Sequence, residues 1–246
     1  MLGDSRRTVV VLAIGLVVAA MLLAGGYGLW YLFLRPAGPA AIDTTSAALP
    51  SSLPSSAPLT GGIDGTWKVD TTIGSASDLS DASFVGYRVQ EQLAGIGANT
   101  AVGRTSKVTG SLTIAGSQVS AVTIEADLTA LQSNDNNRDR QLGNQGIQTG
   151  QFPTATFKLT SPLDLGSVPT DGKQVSVTAK GDLTLHGQTK AVEIPLTATL
   201  SGSTVVLTGS IPIVLADYAI DKPNSFKVLS IADSGTMELQ ILFTKS

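Results

Sequence analysis

The stretch QVSVTAKGDLTLHGQTKAVEIPLTAT, residues 174–199, decides the fold. Val175, Val177 and Ala179 alternate with Ser176, Thr178 and Lys180, and further on Val192, Ile194, Leu196 and Ala198 keep the same rhythm. A period of two puts the apolar side chains on one face of a strand and leaves the polar face to water. Between the two runs sits His186-Gly187, a dipeptide suited to a tight turn. The stretch therefore predicts a hairpin with one buried face.

The pattern recurs along the chain. Val122, Ile124, Ala126 and Leu128 form one run, Ala155, Phe157 and Leu159 another, and Val205, Leu207 and Ile211 a third. Met237, Leu239, Ile241 and Phe243 make a fourth. Turn residues separate the runs at Ala115-Gly116-Ser117, Thr170-Asp171-Gly172 and Ser201-Gly202. Roughly eight to ten strands with short links predict antiparallel pairing, as a sandwich or a closed barrel. The one helical candidate is 136–146, capped by Asn134 or Asp135 and placed as a lid or plug would be at a barrel end. Residues 90–107, rich in glycine but carrying Leu93 and Ile96, read either as a mobile flap or as an ordinary surface loop.

Composition removes several function classes. Charged residues are 14% of the 246 and the net charge is −3, with no Lys/Arg block to meet phosphates, so nucleic-acid binding is not supported. Cysteine is absent, which excludes disulfides, thiolate metal sites, thiol nucleophiles and an acylated N-terminal cysteine. Residues 8–34 carry no charge, and as a helix they would span ~40 Å against a hydrocarbon core of ~30 Å. Arg6 and Arg7 precede this run, and Tyr27, Trp30, Tyr31 and Phe33 gather near its far end. The expectation is a single-pass signal-anchor with residues 1–7 in the cytoplasm and the C-terminal domain outside. A cleaved signal peptide is the alternative, although its apolar region is normally ~7–15 residues. Residues 35–63, rich in Pro, Ala and Ser, read as a tether. Its reach is on the order of 30 Å as a coil and roughly 90 Å when extended. The folded domain is then 64–246.

Chemistry is sparse. His186 is the only histidine, no G-x-S-x-G elbow occurs, and no His pair offers a zinc site. Asp135, Asn137 and Asp139 begin like a calcium loop, but Arg140 stands at the glycine position and Gly146 at the glutamate position. No metal, cofactor or catalytic residue is assigned, and the chain reads as a binding protein rather than an enzyme. On residue type alone, Arg138-Asp139 reads as a helix-start salt bridge and cap.

Several stretches together resemble the YceI-like family of bacterial polyisoprenoid-binding proteins. They are Trp67-Lys68-Val69-Asp70, Ser133-Asn134 leading into Arg138-Asp139 and Leu142, the run from Phe152 through Phe157, and GDLTLHGQTK at 181–190. Gly65-Thr66-Trp67 and Asp217-Tyr218 are similar to lipocalin signatures, but those matches are short. The family resemblance implies an all-β, extended antiparallel, lipocalin-like barrel with a short helix at one end. It also implies an apolar interior holding a polyisoprenoid or isoprenoid quinone, at the cytoplasmic membrane of a bacterium. Its motif positions are Arg138, Asp139, His186, Thr189 and Lys190, which it implies shape a barrel end and meet a head group. This chain departs from the family pattern at Glu91, Gln141, Gly146 and Ile147.

The candidate cavity lining is the apolar strand face: Tyr87, Val89, Val122, Ile124, Phe157, Leu159, Leu183, Leu185, Val192 and Ile194. Alternation marks that face but not whether it encloses a hollow, which the resemblance alone implies. The alternative is a filled barrel serving as a non-catalytic envelope-stress, adhesion or interaction domain.

Overall fold

The hairpin expected at 174–199 forms, in a computed structural model of the chain, around His186 and Gly187, whose φ angles are 50° and 71°. Positive φ at both central residues is what a two-residue turn between twisted strands demands, and Leu185 pairs directly with Gln188. The structure describes residues 15–23, 25–26, 38–42, 44, 59, 61–74 and 81–246. They fall into two units, Met1–Ala37 and Gly38–Ser246. In the first, the described residues are helical, with Leu16, Met21, Leu22 and Leu23 exposed. Among the described residues no helix is long and apolar enough to cross a membrane; the rest of the span expected at 8–34 lies outside them.

Among its described residues the second unit has twelve strands and one short α-helix. The strands are β1 (Gly65–Val69), β2 (Phe84–Leu93), β3 (Gly97–Thr105), β4 (Val108–Ala115), β5 (Gln118–Asp127) and β6 (Gln132–Ser133), followed by helix α1 (Asn136–Gln141). Then come β7 (Thr154–Leu159), β8 (Leu163–Asp164), β9 (Gln174–Leu185), β10 (Gln188–Ser201), β11 (Thr204–Val214) and β12 (Val228–Lys245). Strands β1, β4, β5, β7, β9, β10, β11 and β12 run side by side, and pairing of β12 with β1 closes them into an eight-stranded antiparallel barrel.

Two barrel positions are composite. One edge of β12 is bonded to β2 over residues 228–240 and then to β1 over 243–245, so β1 and β2 continue one another. β3 lies on β2 as β4 lies on β1, and β6 adds to β3. The stretch 90–107 is thus neither flap nor irregular loop: it is the β2–β3 hairpin, with Leu93 buried and only the tip at 94–96 turning. The helix expected at 136–146 is α1 plus a wider turn, Leu142–Gly146. Of the two candidate caps, Asp135 does the work, accepting from the N–H groups of Asn137 and Arg138.

Two expectations need correction. The outward strand faces are not all in water: Thr197, Val206, Thr208, Glu238, Gln240 and Leu242 are buried although their neighbours Leu207, Leu239 and Ile241 point inward. Gln240 and Leu242 meet the segment before β2, where the Ala82 carbonyl accepts from Gln240 Nε2 and Ser83 Oγ accepts from the Leu242 N–H. The described linker residues from Gly38 belong to the folded unit rather than to a free tether, and the carbonyls of Pro39, Ala40 and Thr44 accept from Arg88, Arg104 and Thr197 on the barrel flank.

Inside, large side chains sit against glycines. A methyl group on Gly103 would run into the Tyr87 ring, and one on Gly181 would overlap the Phe157 ring and come within 2.5 Å of the Lys158 carbonyl oxygen. Trp67, fully buried, fills the junction of β1 with β4 and β12 and donates its indole N–H to the Ile63 carbonyl at 2.9 Å. Overpacking of this kind costs about 1–3 kcal/mol or more. Gly181→Val is therefore expected to lower the urea midpoint of unfolding at unchanged m-value, whereas Gly150→Val, at a glycine with nothing nearby, should leave it in place.

Candidate functional site

The inward strand faces form two apolar clusters. One gathers around Trp67, Leu112, Ile241 and Phe243, the other around Leu183, Ile194, Ile211 and Tyr218. A cavity of about 80 Å³ opens within the first. Its walls are the inward residues of six neighbouring strands: Leu112 and Ile114, Val119 and Val122, Phe157, Val175 to Ala179, Leu196 to Leu200, and Val205 and Leu207. Ile63, Leu163, Leu165, Pro169 and Lys173 complete it at one end, and Lys173 is its only charged lining residue. An apolar cavity of this character stays dry, because water would find no partners.

The residues picked from alternation all lie on inward-facing strand positions but divide among three places. Val122 and Phe157 line the cavity, and Ile124 and Leu159 pack beside it. Leu183, Leu185, Val192 and Ile194 belong to the second cluster, outside the lining of this cavity. Tyr87 and Val89 lie on β2 opposite Met237 and Gly235. Most of the wall, including Ile63, Leu112, Ala198 and Val205, was not among the picked residues.

Tyr87 stands near a polar group that sequence spacing could not assemble. Glu91, buried on β2, accepts from Arg138 Nη2 and from Asn99 Nδ2, each at 2.6 Å. Arg138 also donates to Asn134 Oδ1 at 2.9 Å, while Asp139 accepts from Ser133 Oγ at 2.6 Å and from its backbone N–H. So Arg138 and Asp139 do not pair with each other as a helix-start bridge; α1 is clipped by Arg138 to β2 and by Asp139 to β6. The Tyr87 hydroxyl is buried and has no hydrogen-bond partner. Burial pushes its pKa well above the ordinary phenol value, with the neighbouring Arg138 acting against that.

His186 is a different part of the architecture. Its Nδ1 lies 2.9 Å from the Tyr218 carbonyl oxygen, which can only accept, so Nδ1 carries the proton. Nε2 is buried without a partner, and the ring meets Phe152 edge-on at 4.3 Å between centroids. The histidine thus ties the β9–β10 turn to the turn Leu215–Tyr218 and to the segment before β7. Thr189 and Lys190 are exposed, with Thr189 sharing a 2.8 Å hydroxyl contact with Thr184. Among the described residues no group of three His, Cys, Asp or Glu side chains could hold a metal ion.

The chain is thus an all-β, eight-stranded antiparallel barrel with an apolar hollow and a short helix clipped on by a buried ion pair. The family model described as the YceI-like domain matches residues 67–243, and the chain belongs to that family. UPF0312 proteins of Vibrio cholerae and Vibrio vulnificus are 41% identical to it over 76 residues, which is 30% of this chain. The match spans 36% of the length of those relatives. Among solved structures, a polyisoprenoid binding domain from Saccharophagus degradans, implicated in plant cell wall breakdown, is similar with a TM-score of 0.55 and 15% identity, over 74% of this chain and 98% of that one. BcnA of Burkholderia cenocepacia gives 0.50 and 18%, over 67% and 98%. At such identities the likeness is one of fold.

Breaking a buried ion pair from one side costs about 3–5 kcal/mol, because the remaining charge is stranded. Arg138→Met is expected to destabilise by an amount near the lower end of that range, since the guanidinium keeps some contact with solvent. Tyr87→Phe should do the opposite. Deleting a buried hydroxyl that has no partner is expected to raise stability by about 1 kcal/mol. Thermal unfolding of the two variants beside the parent checks both signs.

Proposed function

We propose that this chain is a membrane-anchored binding protein working outside the cytoplasm, which takes the apolar tail of an isoprenoid lipid into its barrel and makes or breaks no bond. The observation that carries this reading is the cavity, enclosed on its strand sides by apolar residues alone. Each CH2 group moved from water into such a space gains roughly 0.8 kcal/mol. Family membership supports the reading, as does the binding activity in the name of the Saccharophagus degradans domain. The exposed apolar side chains of the helical residues 15–23 support an anchor.

The size of the cavity sets a condition on this mechanism. At about 80 Å³ it is smaller than the ~150 Å³ apolar cavity that accepts one benzene, so a prenyl chain must push its walls apart. The yielding end is the one built from Ile63 and the 165–173 connection, which follows the short strand β8 and is not itself strand ladder. That small volume also favours a second reading, a filled barrel acting through protein partners.

Residues 38–246, purified without detergent after export in a bacterium, distinguish the two. Organic extraction and mass spectrometry are expected to show a prenyl lipid near one equivalent. Ala198→Phe, which fills the cavity, is expected to lose that lipid while keeping the parent circular dichroism. A lipid-free parent that also refuses added isoprenoids would establish the filled barrel.

A further inference from the structure

On the outward faces of β10, β11, β12, β2 and β3, a central patch that includes Thr197, Val206, Thr208, Glu238 and Arg104 is buried. Glu238 is 1% exposed, and its carboxylate is held by Arg88 Nε at 2.8 Å and by Arg104 Nε and Nη2 at 2.9 and 2.8 Å. Arg104 is itself buried and stacks over Phe84 at 4.1 Å. Two guanidinium groups against one carboxylate leave a positive charge and unspent donors on this flank. Those donors are used by the start of the linker. Arg88 Nη2 donates to the Pro39 carbonyl at 2.6 Å and Arg104 Nη2 to the Ala40 carbonyl at 3.0 Å. Across the sheet, Thr197 Oγ1 donates to the Thr44 carbonyl at 2.7 Å.

The run is well suited to that role. A glycine at 38 brings backbone against Val102, where an added Cβ would lie 3.2 Å from a Val102 methyl. Proline and alanines follow, offering carbonyls with little side-chain bulk. The contacts step from β3 and β2 to β10, and between those strands the outward residues Val206 and Thr208 of β11 are buried.

We propose that residues 38–42 and 44 are an intramolecular strap and that the cluster of Arg88, Glu238 and Arg104, with Thr197, is its dedicated receptor on the barrel. The folded unit then begins on this flank at Gly38 instead of at β1.

The absence of native cysteine makes the test direct. A Cβ on Gly38 lies 3.4 Å from Val102 Cβ, close to the ~3.8 Å typical of a disulfide. In the full chain, Gly38→Cys with Val102→Cys is expected to oxidise to a monomeric, reducible cross-link, while Gly38→Cys with Val168→Cys, on an exposed connection, is not. In the single variant Gly38→Cys, removing the receptor contacts by Arg88→Met with Thr197→Val should raise the maleimide alkylation rate about tenfold. Cross-linking no faster than the control pair, disulfide-linked dimers in place of monomers, or an alkylation rate indifferent to the receptor would each overturn the strap. None of these readouts depends on a bound lipid.

Discussion

An eight-stranded ring has an interior just wide enough for side chains to fill, and this barrel meets that limit by pairing bulk with absence. Tyr87 lies over Gly103, Phe157 over Gly181, and Leu196 presses on Gly209. Where large residues and glycines match in height the side chains meet directly, and Leu183, Ile194 and Ile211 form a second buried cluster. Where small and medium residues meet, at Ala179, Ala198 and Val205, the cavity remains. The hollow is therefore a local shortfall of volume within a packed barrel.

The two ends of the barrel are closed by different chemistry. At one, Arg138 reaches from α1 to Glu91 and His186 ties a tight turn to the Tyr218 carbonyl, so the closure consists of charge and hydrogen bonds with fixed directions. At the other, Ile63, Leu165 and Pro169 line the space with apolar side chains, while the Ile63 carbonyl accepts from the Trp67 indole and the Leu165 N–H donates to the Ser117 carbonyl. Apolar side-chain contact has no preferred direction and re-forms after a displacement, whereas a stranded charge does not.

Much of this was legible in the residues. Alternation identified the inward faces of Val122, Phe157, Leu183 and Ile194, and His186-Gly187 announced its turn. It could not give height along the barrel axis, which depends on register between strands far apart in sequence. The wall at Leu112 and Val205 was missed for that reason. Glu91 and Arg138 are 47 residues apart, and nothing local marks them as partners. The covered flank had a faint signal: β11, TVVLTGSIPIV, carries no charge on either face, as a strand buried on both sides would. On the neighbouring strands, Arg88, Arg104 and Thr197 donate to Pro39, Ala40 and Thr44, in a Pro/Ala-rich run whose composition reads as linker.

The barrel is closed by pairing its first strand in the chain with its last. β1 is held between β4 and β12, and β12 in turn bonds β11, β2 and β1 along its eighteen residues. A ribosome makes every partner of β12 before β12 itself, so no closed ring exists while the strand is still being synthesised. Contacts so distant in sequence also form slowly. Until residue 245 has emerged, the polypeptide remains a threadable chain with open sheet edges. Such a delay makes chaperone cover of those edges matter most in the last moments of biogenesis.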